Sequence, residues 1–295
     1  MTQAQRIAAG SIGIGLVVLG LKTAAWYVTG SAALFSDAAE SVVNVVAAAI
    51  ALAALRFAAR PADSNHPYGH DKAEFFAAVI EGALIVLAAA VILDHAWSVW
   101  RAPPPLQAPL PGLAMNAAST ALNMAWALLL LRRGRTLRSA ALRADGQHLL
   151  TDVVTSAGVL VGVALVYATG RRLLDPALAA LTAVYVLVAG IRVIAHSVGG
   201  LMDAAPAPDV VARIRRLVAE TAEGAIEAHD LRTRNAGRLT FLEFHLVVPG
   251  SMSVASAHDI CDRIEHALKR EMADLVITIH VEPEGKAKHQ GVLVL

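Results

Sequence analysis

Two stretches of this 295-residue chain set ionisable and amide side chains at helical spacing inside long apolar runs. In Ser36-Asp37-Ala38-Ala39-Glu40-Ser41-Val42-Val43-Asn44, Glu40 and Asn44 are four residues apart and share one helical face, with Asp37 a turn earlier. The second stretch holds Asp145, His148 and Asp152, and His148 and Asp152 repeat that spacing. Two helices that each present such a pair can enclose one divalent cation, since four oxygen or imidazole donors at about 2.0–2.2 Å suit tetrahedral coordination. The same groups could instead satisfy one another through interhelical hydrogen bonds or a salt-bridge lattice. Asp37 and Asp145, one turn from these ligands, are candidates to support them by hydrogen bonding. Imidazole, with an unperturbed pKa of about 6.5, makes His148 the natural group to exchange a proton for a metal.

Two further clusters carry metal-ligand chemistry. In Asp63-Ser64-Asn65-His66-Pro67-Tyr68-Gly69-His70-Asp71-Lys72, a turn at Pro67 and Gly69 would let Asp63, His66 and His70 share a metal; otherwise these are solvated loop histidines. Six of the 11 histidines fall in the last 95 residues. There His229, His245, His258, His280 and Glu282 are candidate ligands, His280 and Glu282 sharing one strand face by period two. His266 and His289 read as surface histidines. Imidazoles with a carboxylate and no thiolate point away from a cysteine zinc site.

The elements that must hold these groups are set by composition. The chain is 56% hydrophobic and 17% charged, with a mean hydropathy of +0.56, against about 45–50% apolar and about 25% charged in a soluble protein. Of 24 acidic residues, 10 lie in residues 1–200 and 14 in the rest. Hydropathy, with Pro, Gly and charge as punctuation, predicts six spans near 6–28, 32–57, 74–100, 109–131, 144–168 and 176–198. The breaks fall at Thr29-Gly30-Ser31, Arg60 to Asp71, Pro103-Pro104-Pro105, Arg132 to Arg143, and Thr169 to Arg172. Arg56, Arg60 and Lys72 after span two, and Arg132, Arg133, Arg135, Arg138 and Arg143 after span four, place those loops and both termini in the cytoplasm. After Pro206 and Pro208 the pattern becomes helix 209–222, strand 225–234, strand 239–248, helix 254–272 and strand 275–282. The expected fold is thus a membrane α-helical domain of six transmembrane helices (1–205), a small α+β cytoplasmic domain built as an αββαβ open-faced sandwich (206–284), and a loose tail (285–295).

A net charge of +1 provides no basic field for nucleic acid, and the single Cys261 excludes a disulfide framework. The chain has no HExxH and no GxSxG, which counts against an enzyme. The alternatives are a membrane metalloenzyme, with a bound zinc as catalyst, and a metal sensor that does not transport.

The segments Asn65-His66-Pro67-Tyr68-Gly69-His70-Asp71-Lys72-Ala73-Glu74, Ala144-Asp145-Gly146-Gln147-His148-Leu149-Leu150-Thr151-Asp152 and Ala228-His229-Asp230-Leu231-Arg232-Thr233-Arg234 together resemble the cation diffusion facilitator family, close to its bacterial ferrous-iron/zinc efflux branch, over about residues 8 to 284. The resemblance implies a Y-shaped homodimer in the bacterial inner (plasma) membrane, exporting a divalent metal in exchange for protons. Zn or Fe is the expected cargo, with Mn, Co, Ni and Cd as the other candidates. It also implies cytoplasmic domains that bind metal at the dimer interface. By that resemblance the transport site falls on Glu40, Asn44, His148 and Asp152. The loop site falls on Asp63, His66 and His70, and the tail site on His229, His245, His258, His280 and Glu282. A Lys–Asp interlock between protomers falls on Lys72 and Asp203. The branch usually has Asp at both span-two positions and at the last tail position, where this chain has Glu40, Asn44 and Glu282.

Overall fold

A computed structural model describes residues 2–29, 32–102, 110–169, 171, 173–288 and 292–293. The breaks expected at Gly30-Ser31, Pro103-Pro104-Pro105, Gly170 and Arg172 lie outside them, as does His289. The chain divides into two compact units, Met1–Val198 and Gly199–Leu295.

The first unit consists of six helices: α1 (Gln3–Thr29), α2 (Ala32–Ala58), α3 (Ala73–Arg101), α4 (Leu110–Thr136), α5 (Ala140–Thr169) and α6 (Leu174–Leu201). Each has 27–30 residues, or about 40–45 Å at about 1.5 Å per residue, enough to cross a bilayer. Five of them contain apolar stretches that qualify as membrane spans among the described residues. The sequence of α5 is uncharged from Val153 to Thr169.

The distribution of side chains is that of a protein dissolved in lipid. Leu16, Val46, Phe76, Leu87, Val91, Trp97, Leu181 and Ile191 are exposed, while Lys22, Asp37, Asn44, Asn116, Asn123, His148 and Asp152 are buried. Small residues let the helices approach: Ala8, Ala51, Ala127 and Ala141 pack with Leu52, Leu55, Leu130, Leu142 and Leu149. α5 starts at Ser139, whose hydroxyl accepts from the Leu142 N–H at 3.3 Å and donates to the Glu74 carboxylate at 2.5 Å, tying the first turn of α3 to that of α5.

In the second unit, α7 (Pro208–Thr221) and α8 (Val254–Glu271) cover one face of a sheet of β1 (Glu227–Ala236), β2 (Leu239–Val248), β3 (Leu275–Pro283) and β4 (Val292–Leu293), in the order β3-β2-β1-β4. β1 and β2 form an antiparallel hairpin, turned at Gly237 with φ 60°. α8 then crosses over so that β3 pairs parallel to β2. Helix α8 starts at Ser253, whose hydroxyl accepts from the Ser256 N–H at 3.0 Å. Leu242, Phe244, Leu246 and Val248 face the core with Ile214, Val218, Ile260, Ile264 and Leu268. By strand alternation, His245 points to the opposite face.

The αββαβ order holds. The segment expected as a loose end differs, since a short β4 (Val292–Leu293) pairs antiparallel with Ala228 and Glu227 of β1. The N–H and C=O row on that edge of β1 gives the returning chain somewhere to bond.

α3 and α6 meet where each has a glycine. A Cβ on Gly82 would stand 2.7 Å from Ile194 Cγ1 and 3.2 Å from the Gly190 carbonyl oxygen. Gly82→Val should force the helices apart at a cost of about 1–3 kcal/mol, read as a lower unfolding temperature in detergent. An unchanged melt would mean that this crossing adapts freely.

Candidate metal sites

α2 and α5 pack side by side, and their polar faces meet inside the first unit. His148 Nε2 lies 2.5 Å from Asn44 Oδ1, so the pairs predicted from helical spacing do come together. Glu40, Asn44, His148 and Asp152 line one cavity of about 350 Å³, whose remaining wall is largely aliphatic and includes Leu84, Ile92 and Val186. Among the described residues His148 Nδ1 and Asn44 Nδ2 have no hydrogen-bond partner, though both are buried.

Asp37 and Asp145 part company. Carboxylate oxygens of Asp37, Glu40 and Asp152 lie within 4.8 Å of one another, so Asp37 belongs to the acid cluster itself. Asp145 does not support His148 as expected. It is fully buried, and among the described residues neither of its carboxylate oxygens nor His148 Nδ1 has a hydrogen-bond partner.

Sequence reasoning missed the cation in this cluster. Lys22 on α1 is fully buried, with Nζ 2.8 Å from Asp37 Oδ1 and 3.1 and 3.0 Å from the two oxygens of Asp152. Asn116 and Asn123 of α4 donate to Asp37 Oδ2 at 2.8 Å and Asp152 Oδ2 at 2.6 Å, and the Ser156 hydroxyl donates to Asp37 Oδ1 at 3.0 Å. The available signal was a lone lysine deep in the first apolar run, which membrane energetics marks as functional. Glu81 of α3, also unremarked, is fully buried with no hydrogen-bond partner among the described residues.

The loop cluster assembles as well. Asp63 Oδ1 accepts from the backbone N–H of Asn65 at 2.9 Å and of His66 at 2.7 Å, and it lies 3.2 Å from His66 Nδ1. His70 Nε2 is 3.4 Å from Asp63 Oδ2. The turn is closed by the Gly69 N–H donating to the His66 carbonyl at 3.0 Å, with Gly69 at φ 86°. His70 is buried edge-on against Phe57, whereas His66 and Asp63 are exposed.

In the second unit, β-sheet register does the assembling: His229 pairs with His245, and His245 with His280. Glu282 joins them, with its oxygens 3.3 Å from His229 Nε2, 3.3 Å from His245 Nδ1 and 3.8 Å from His280 Nε2. Two acids were not foreseen. Buried Glu227 lies 3.7 Å from His229 Nδ1. Asp230 groups with His229 and His245 because the chain bulges there, with Asp230 at φ 52°. The fifth candidate, His258, does not join that group. It is exposed on α8, 3.7 Å from Asp262 one turn on. His266, also exposed on α8, is a surface histidine as expected.

Lys72 occupies the N-cap position of α3, with no capping hydrogen bond from its side chain. Asp203, at φ 61° just past α6, lies 3.3 Å from Arg234 Nη1, which donates to it.

The His66 backbone N–H holds the Asp63 carboxyl below the usual carboxylate range. Its ordering of the turn is therefore complete above the ordinary Asp pKa of about 3.9 and is lost only as pH falls through its own lower value. The His66 amide should exchange slowly at pH about 5 and rapidly in Asp63→Ala. Equal exchange in the two proteins would show that this carboxylate does not organise the loop.

Comparison with known proteins adds the family. The description "cation efflux transmembrane domain" matches residues 9–202, and "cation efflux protein, cytoplasmic domain" matches residues 206–284. An uncharacterized transporter of Synechocystis is 43% identical over 273 residues, covering 92% of this chain and 88% of that one. The cation-efflux pump FieF of Shewanella oneidensis is 31% identical over 273 residues, 92% of either chain. A solved structure of CzrB in its zinc form is 50% identical over 28% of this chain and 96% of its own, with a TM-score of 0.28.

Proposed function

The chain belongs to the cation diffusion facilitator family of cation efflux transporters, and from that premise we propose that it exports a divalent transition metal from the cytoplasm in exchange for protons. The cargo binds between α2 and α5, to Glu40, Asn44, His148 and Asp152. The observation that carries this reading is the meeting of His148 Nε2 and Asn44 Oδ1 at 2.5 Å on the wall of a cavity that Glu40 and Asp152 also line. Two of these donors are acids that must be deprotonated to ligate, and the imidazole must be neutral. Opening inward, the site takes up metal as protons leave. Opening outward, protons compete for the same atoms and displace the metal. The positive charge of the loops after α2 and α4 supports a cytoplasmic position for both termini, in a bacterial inner membrane.

The second unit is proposed to bind metal through His229, His245, His280 and Glu282, with Asp230 and Glu227 at hand, and to tighten a homodimer when cytoplasmic metal rises. Metal that binds one dimer arrangement better shifts the population toward it. Pairing of Lys72 with Asp203 across such a dimer has to compete with Arg234, which already donates to Asp203. The cluster of Asp63, His66 and His70 is proposed as a third, loop-borne metal site.

Deprotonated Glu40 and Asp152, with neutral Asn44 and His148, carry the two negative charges that balance M²⁺. An amide oxygen is a hard, neutral donor and competes poorly for zinc against carboxylate or imidazole. The set therefore favours Fe²⁺, Mn²⁺ or Co²⁺ relative to a site with Asp at that position.

Metal uptake into proteoliposomes tests the reading. His148→Ala and Asp152→Ala should each reduce flux to background while the protein remains folded; wild-type flux in either would move the transport site elsewhere. Asn44→Asp should raise zinc affinity and steepen its pH dependence, and no change would exclude Asn44 as a ligand. Glu282→Ala should lower the number of metals bound per full-length chain while leaving maximal flux largely intact. Unchanged stoichiometry would remove the tail site from the proposal.

A further inference from the structure

Lys22 carries an inference that rests on reading Glu40, Asn44, His148 and Asp152 as the transport ligands. Its ammonium is buried in the C-terminal third of α1, inside the apolar unit, where an unpaired charge is prohibitively costly. It spends its hydrogen bonds on two acids of unequal status: Asp152, which is in the ligand set, and Asp37, which does not line the cavity. Asp37 is equipped to hold the ammonium by itself. Asn116 and Ser156 donate to its two oxygens and fix the carboxylate in place. Asp152 receives a comparable bond from Asn123, so neither acid depends on Lys22 alone for its orientation.

A metal at coordination distance from Asp152 would stand within about 5 Å of the ammonium as it is now placed. A fixed positive charge that close to a divalent cation opposes binding strongly in a medium of low dielectric constant. We propose that Lys22 is a tethered cation that occupies Asp152 in the metal-free site and withdraws onto Asp37 when metal binds. Asp37 is then the resting place of the displaced ammonium, which explains an acid so near the ligands yet outside the cavity. The tether limits metal affinity and returns to Asp152 as metal leaves, so the emptied site does not hold an uncompensated acid cluster. Lys22 remains charged throughout, and the mechanism is displacement between two carboxylates.

A merely structural lysine, pinning α1 to α2 and α5, predicts something different. Lys22→Met alone leaves Asp37 buried and unpaired, so the decisive protein is the full-length double variant Lys22→Met/Asp37→Asn, which removes the ammonium and its resting place together. Zn²⁺ and Co²⁺ are titrated calorimetrically into wild type, Asp152→Ala and the double variant, and uptake is measured in proteoliposomes. In wild type, the component of binding that Asp152→Ala abolishes defines the transport site. In the double variant the Kd of that component should fall at least about tenfold, a small part of the repulsion between such charges about 5 Å apart. KM should fall with it, and maximal flux should drop because release slows. A wild-type Kd and flux in the double variant would show that the two charges only neutralise each other, and weaker binding would show that they build the site; either overturns the inference. Unchanged binding in Asp152→Ala would overturn the transport-site reading, and this inference with it.

Discussion

The transmembrane unit is organised by the cost of withdrawing charge from water. Asp37, Glu40 and Asp152 crowd together in its interior, with Lys22 bound to two of them. In lipid, apolar side chains gain little by facing one another rather than the bilayer, so exposed Leu, Val and Phe do not determine how the helices fit together. The polar contacts do. Lys22 connects α1 to α2 and α5, Asn116 and Asn123 connect α4 to the same acids, and Asn44 meets His148 across α2 and α5. Alanine and glycine supply the close approach that these short bonds require. One network thus registers four helices and presents a set of candidate metal ligands at their centre.

What was legible in the sequence was whatever depended on a local period. Six helices followed from the length of the apolar runs. Glu40 with Asn44, and His148 with Asp152, followed from the four-residue spacing. The turn that gathers Asp63, His66 and His70 followed from Pro67 and Gly69, and the αββαβ order from the alternation and turn residues after Pro208. Less legible was anything decided by partners distant in sequence. Lys22 meets Asp152 130 residues away, and nothing in its neighbourhood announces an acid. Asp145 shares the helical spacing of a supporting residue, yet its buried carboxylate makes no hydrogen bond to His148 or to any other described residue. Asp230 reaches the tail cluster through a bulge, which period-two reasoning would place on the wrong face. His258 had the right residue type but sits on α8, exposed beside Asp262.

The three clusters differ in a way that suits different tasks. In the proposed transmembrane set Asn44, His148 and Asp152 are buried and Glu40 is half-buried, and its one imidazole and neutral amide are a combination suited to a site that must let go. The tail set places three imidazoles around one carboxylate on a rigid sheet, a softer and more crowded arrangement suited to holding metal. The loop set leans on one carboxylate already committed to two backbone N–H groups. Its His66 and Asp63 are open to solvent.

The central claim is that cargo binds between α2 and α5, and anomalous X-ray scattering from crystals of the full-length protein grown with Zn²⁺ or Co²⁺ tests it most directly. The account predicts a peak within about 2.0–2.2 Å of donor atoms on Glu40, His148 and Asp152, with the Asn44 amide oxygen completing the set. Peaks confined to the loop and tail clusters, with none between α2 and α5 at saturating metal, would contradict it.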